Sequence, residues 1–135
     1  MPELADFQGL WRLDRVIRQA DGAEAVFTGS ARFTPVAAGL AYDEAGQLVL
    51  SGQPPMQATR RYLWRAEGGR IAVDYADGKA FHDFDPQAAE ARHFCDPDTY
   101  LVRYDFTGWP QWRAEWRVTG PRKDYLLISD YKRGD

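Results

Sequence analysis

The sequence predicts an all-β protein: one antiparallel up-and-down barrel of about eight to ten strands, with residues 1–135 as a single domain. Three observations predict it. Apolar and polar residues alternate with a period of two in one segment after another, the spacing of a strand with two distinct faces. Turn signals punctuate the chain at nearly regular intervals, among them Ala20-Asp21-Gly22, Ala45-Gly46, Gly52-Gln53-Pro54-Pro55, Gly68-Gly69, Asp77-Gly78, Asp96-Pro97-Asp98 and Gly120-Pro121. Short strands so spaced indicate a sandwich or barrel, not alternating strands and helices. The third observation is five Trp, seven Tyr and seven Phe. Each large ring buries about 150–250 Å², so this set must fill a core or line a cavity.

Strands are expected at 8–19, 23–35, 39–44, 47–51, 56–67, 70–76, 79–85, 91–95, 99–107, 112–119 and 123–132, some of them merging in the final sheet. In the first, Phe7, Gly9, Trp11, Leu13, Arg15 and Ile17 share a parity, and Arg15 intrudes on an otherwise apolar face. In the second, Phe27, Gly29, Ala31 and Phe33 face one way, and the two small residues leave space for a bulkier neighbour or a ligand. Ala58, Arg60, Tyr62 and Trp64 form the next inward set. Downstream, Tyr100, Val102, Tyr104 and Phe106 share a face, as do Trp112, Ala114, Trp116 and Val118 in the cleanest alternation of the chain. The last strand offers Tyr125, Leu127, Ser129, Tyr131 and Arg133. One helical segment is expected, at 86–91, too short to carry a fold. A long sheet with one oily face closes on itself to remove its edges, and the polar intruders favour a barrel with a partly open interior.

Composition narrows the function. Net charge is −3 with no continuous basic stripe, which disfavours nucleic acid, whose phosphates need clustered positive charge. No stretch approaches the roughly 20 apolar residues that span a bilayer, and no signal-peptide pattern opens the chain. The single cysteine, Cys95, excludes an internal disulfide and fits a reducing cytoplasm. The expected partner is a small molecule, and a second copy of the chain is the one macromolecular partner left open.

The inward set is not plain hydrocarbon. Trp11, Tyr62, Trp64, Tyr100, Tyr104, Trp112, Trp116, Tyr125 and Tyr131 accompany Arg15 and Arg60. Aromatic walls with a few convergent polar groups are the mixture found in small-molecule pockets. Arg15 and Arg60 then anchor a carboxylate or phosphate on a partly apolar ligand; in the plainer reading they pair with acids such as Asp83 or Asp98, or stack on Trp. The expected ligand-binding residues are Arg15, Arg60, Tyr62, Trp64, Tyr100, Tyr104, Trp112, Trp116, Tyr125 and His82. His82, His93 and Cys95 are the only cluster of soft or titratable ligands, and their spacing fits no familiar metal motif, so no metal or other cofactor is expected. There is no nucleophile elbow, phosphate loop or triad-like order. Binding is therefore favoured over turnover, with an isomerase- or cyclase-like enzyme, a haem carrier and a surface-acting barrel as the competing classes.

Several motifs together resemble a known family. Phe7-x-Gly9-x-Trp11-x-Leu13-x-Arg15-x-Ile17, Arg60-x-Tyr62-x-Trp64, Phe81-His82-x-Phe84, His93-x-Cys95-x-x-Asp98-x-Tyr100 and Gly120-Pro121-Arg122-Lys123-Asp124-Tyr125 resemble the uncharacterised family catalogued as domain of unknown function 6314. The resemblance covers almost the whole chain. It implies a calycin-like barrel, related in architecture to lipocalins, fatty-acid-binding proteins and nitrobindin, and it carries no established activity. Gly9-x-Trp11 is similar to the lipocalin first-strand signature, which implies a late basic residue, Arg133 or Lys132, packed across the Trp11 ring.

Overall fold

A computed structural model describes residues 2–88, 90–95 and 97–134, with side chains described outside 90–95. Ten strands form one antiparallel sheet: β1 (Gly9–Gln19), β2 (Glu24–Val36), β3 (Gly39–Leu50), β4 (Met56–Glu67), β5 (Arg70–Tyr75), β6 (Ala80–Phe84), β7 (Glu90–Cys95), β8 (Asp98–Asp105), β9 (Trp112–Thr119) and β10 (Asp124–Arg133). The spatial order is β6-β5-β4-β3-β2-β1-β10-β9-β8-β7. Each strand therefore lies beside its neighbours in sequence, and β1 closes the ring against β10 in the register Trp11↔Arg133 to Gln19↔Tyr125. The seam falls between β6 and β7, which are consecutive in the chain and touch. This is the expected up-and-down barrel. No helix among the described residues is long and apolar enough to cross a membrane.

Two local expectations are corrected. Residues 86–88 form a turn and Glu90 already opens β7, so the expected helix at 86–91 does not form. Too few residues separate β6 from β7 for a helix to gain hydrogen bonds before the chain must pair again. A 3-10 turn forms instead at Leu4–Phe7, where Asp6 Oδ2 accepts from the Glu3 amide at 2.8 Å. The strands expected at 39–44 and 47–51 are one continuous β3. Gly46 reads as half of a turn but sits inside the strand opposite Gly29 of β2. A Cβ on Gly29 would lie 2.1 Å from the Ala45 carbonyl oxygen, and one on Gly46 would lie 2.4 Å from that of Thr28. The two backbones meet where neither residue carries a side chain.

Up-and-down topology gives the barrel two unlike ends. The β2–β3, β4–β5, β6–β7 and β8–β9 connections share one end with both termini. Phe7 fills it, its ring 5.0–5.7 Å from those of Phe33, Trp64, Phe106, Trp109 and Trp112. Trp11 is fully buried and donates from Nε1 to the Phe7 carbonyl at 2.8 Å. The Arg133 guanidinium lies over the Trp11 ring at 3.9 Å and donates to the Gln8 carbonyl at 2.8 Å and to that of Asp6. Of the two basic residues considered for this place, Arg133 takes it. The β1–β2, β3–β4, β5–β6, β7–β8 and β9–β10 turns ring the other end, which is the mouth.

Candidate functional site

The inward side chains form two tiers. The lower tier is polar and closed. Arg15 of β1 reaches Glu44 of β3 with both terminal nitrogens, 2.7 and 2.9 Å from the carboxylate oxygens, while its Nε donates to Ser129 Oγ at 2.7 Å. Arg15 stands opposite Phe27 and Glu44 opposite Ala31 across β2, and the guanidinium reaches Glu44 over the Phe27 ring, 5.3 Å from its centre. Tyr42 donates to Glu44 at 2.6 Å and accepts from Tyr131 at 2.8 Å. Arg15, Glu44 and Ser129 are all buried. Burial alone would lower the Arg15 pKa, but the Glu44 carboxylate reverses this and holds it above the ordinary value. Burial would likewise raise Glu44, yet Arg15 outweighs it and keeps the carboxyl below its usual value. Both groups stay charged, and each cancels the other.

This network corrects the expected partner of Arg15. Asp83 pairs with Arg70 at 2.6 Å and Asp98 with Lys123 at 2.9 Å, both away from Arg15. The interior is also not the open hollow expected. The cavity bounded by Arg15, Tyr42, Glu44, Trp64, Tyr104 and Trp112 has about 30 Å³, room for water but far below the size of a ligand pocket. Trp112 stacks on Tyr131 at 3.8 Å and 5°, and Phe84 stacks on Tyr104 at 4.2 Å. Of the rings expected to wall a cavity, Trp64, Tyr104 and Trp112 fill this tier instead.

His82 joins this tier through an irregularity. The β5–β6 register shifts between Val73 and Asp74, and a bulge turns successive residues to the same side, so both Phe81 and His82 are buried. The His82 Nε2 lies 2.9 Å from the Tyr104 hydroxyl. Burial pushes the Tyr42 and Tyr104 hydroxyls well above the ordinary phenol pKa, and Tyr131 up to about 12. The side chains of His93 and Cys95 lie outside the described residues, and among the described residues no group of three His, Cys, Asp or Glu is placed to hold a metal.

The upper tier is a cleft of about 620 Å³ at the mouth. Arg60, Tyr62, Tyr100, Trp116 and Tyr125, half of the expected ligand-binding set, line it, and the structure adds Lys123 and the ring pair Tyr75 and Phe81. Tyr75 and Phe81 stack at 4.7 Å, and Trp116 stands edge-on to Phe81 at 5.2 Å. The other expected residues, Arg15, Trp64, His82, Tyr104 and Trp112, belong to the lower tier. Arg60, Tyr62 and Trp116 face both. Tyr100, Trp116 and Tyr125 are half-buried and Arg60 is exposed at the rim, a correction to their expected place in the interior. Arg60 makes one polar contact, 3.4 Å to the Tyr62 hydroxyl, and no carboxylate among the described residues lies within 4.0 Å of it.

Tyr42, Glu44, Tyr75 and Phe81 were missed by sequence reasoning as members of these tiers. Glu44 was the recoverable one. It follows Leu40 and Tyr42 at a spacing of two, which faces it inward once β3 is read through Gly46.

Among solved structures, an S-type phycobiliprotein lyase from Guillardia theta matches over 98% of this chain and 90% of its own, at 12% identity and a TM-score of 0.66. A de novo designed fluorescence-activating β-barrel matches over 99% of this chain and 100% of its own, at 13% identity and a TM-score of 0.48. The lyase shares the barrel fold with this chain. No curated protein matches it in sequence. A family model spans residues 7–133, and the chain belongs to that family, the family of unknown function DUF6314.

Proposed function

We propose that the protein binds a small, partly aromatic anion in the mouth cleft, with the ligand's charged group on Arg60 and its flat body against Tyr62, Phe81 and Trp116. One observation carries this reading: Arg60, in a cleft walled mostly by rings, has no carboxylate within 4.0 Å among the described residues, the cleft's one acid, Asp77, included. A guanidinium presents a planar fork of donors that suits a carboxylate, sulfonate or phosphate. Arg15 lends no anchor, because Glu44 and Ser129 already take its donors. Lys123 is held by Asp98. The ligand sits shallow, since the tier beneath, at about 30 Å³, has room for water and not for a ring.

The test uses probes of one shape and different charge. Naphthalene-1-sulfonate is expected to bind more tightly than neutral 1-naphthol, and Arg60→Ala to weaken the sulfonate about tenfold while changing 1-naphthol little. Equal loss of both would sink the anchor role. Native mass spectrometry of the purified protein would then show whether an anionic molecule travels with it. The filled interior favours a second reading, a barrel that encloses nothing and acts through its outer surface. Failure of every probe to saturate would select that one.

A further inference from the structure

Three charged side chains, Arg15, Glu44 and Arg60, line the lower cavity among the described residues. Two are positive and one is negative, so the tier carries a single uncompensated positive charge, and Arg60 presents it at the mouth. Glu44 stands directly opposite Arg60 in the β3–β4 ladder. It is nevertheless committed to Arg15, which reaches it from the far side of β2 and takes both of its oxygens. One carboxylate thus lies between two guanidinium groups and neutralises only one of them.

We infer that Glu44 is a specificity-determining residue that fixes the charge of the ligand at one, by cancelling Arg15 and leaving Arg60 alone to be paired. This rests on the proposed mouth-cleft reading. A ligand with one negative charge restores neutrality. A second negative charge turned toward the lower tier would meet the Glu44 carboxylate, whose partner Arg15 is already taken, while the other cations lining the mouth, Arg61 and Lys123, are paired with Asp43 and Asp98. Tyr42 reinforces the assignment, because its hydroxyl donates to Glu44 Oε2, the same oxygen that the second Arg15 terminal nitrogen holds.

Substitutions on either side of the pair move the charge in opposite directions. Glu44→Gln leaves two uncompensated guanidinium groups, so the ratio of naphthalene-1,5-disulfonate to naphthalene-1-sulfonate affinity should rise about tenfold. Arg15→Met releases Glu44 toward Arg60, so naphthalene-1-sulfonate affinity should fall about tenfold, to near that of 1-naphthol. The double variant Arg15→Met/Glu44→Gln is neutral at the pair and should keep the preference for one charge, even if one of the single variants does not fold. Affinities are read by titration of intrinsic Trp fluorescence, with thermal melts as the check on folding. An unchanged ratio in folded Glu44→Gln, undiminished sulfonate binding in folded Arg15→Met, or a lost preference in the double variant would each overturn the inference. The mouth-cleft reading fails separately, through Arg60→Ala. If that variant loses the sulfonate while the Glu44 and Arg15 variants leave the charge preference alone, the site stands and its control by Glu44 does not.

Discussion

The two ends of this barrel are built from the same residue types and do opposite things with them. At the closed end, Phe7, Trp11, Phe106, Trp109 and Trp112 turn edges onto faces, and the Arg133 cation covers the outside. At the mouth, Tyr62, Tyr75, Tyr100, Trp116 and Tyr125 line an open cleft beside Arg60, which no carboxylate among the described residues touches. Rings in the first place exclude water and hold the strands together; rings in the second stand half-buried around a cleft open to solvent. Between them lies the Arg15–Glu44 pair, in which each of the three Arg15 guanidinium nitrogens has a hydrogen-bond partner. A buried ion pair of this kind contributes little net stability over an apolar replacement, and it bars a ligand from going deeper.

The largest effect expected on this division is that of Phe7→Ala. Phe7 is fully buried and touches five other rings, so truncation should cost about 3–5 kcal/mol of unfolding free energy in a denaturant titration. If the ends are independent, naphthalene-1-sulfonate affinity at the mouth of the folded variant changes by less than about twofold. A parallel collapse of affinity would show that the plug also shapes the cleft.

What the sequence disclosed follows the same division. Gly9-x-Trp11, the parity of Trp112 to Val118 and the basic residue near the C-terminus were all legible, because a strand whose alternating residues face a packed core leaves a period-two trace. The acid opposite Arg15 was not. Ala45-Gly46 looks like a turn, yet Gly46 is there because β2 and β3 approach too closely for a Cβ, a contact between strands that no local pattern records. Parity also could not say how deep an inward residue lies. Trp112 and Trp116 share a face of β9, but only Trp112 is buried, since Trp116 stands four residues nearer the mouth. The β6 bulge hid a third feature: strict alternation would turn one of Phe81 and His82 outward, and both are buried.

Arg133→Ala is the next test in size. It removes a cation stacked on Trp11 and two donors to the Asp6 and Gln8 carbonyls, the ties that hold the 3-10 turn over the plug. A loss of about 1–2 kcal/mol is expected in the same titration, with the amides of residues 4–8 exchanging faster with solvent. Unchanged exchange there would mean that Phe7 alone keeps the closed end shut.

The smallest effect belongs to the polar layer between the ends, and it depends on pH. Tyr131 donates to Tyr42, so Tyr131→Phe should cost about 1 kcal/mol at neutral pH. At high pH the sign of the comparison changes. The phenol titrates near 10 when unfolded and near 12 in place, so the native state keeps a proton that the unfolded chain gives up. Its contribution is therefore complete below pH 10 and is lost as pH rises through 12. The wild type should lose stability steadily across that window, and Tyr131→Phe should lose less, its slope shallower by up to about 1.4 kcal/mol per pH unit. Tyr42 and Tyr104 are also held well above the usual phenol value, so some slope remains in the variant. If the two alkaline slopes coincide, water reaches Tyr131, and the layer beneath the cleft is not the floor that the shallow binding site requires.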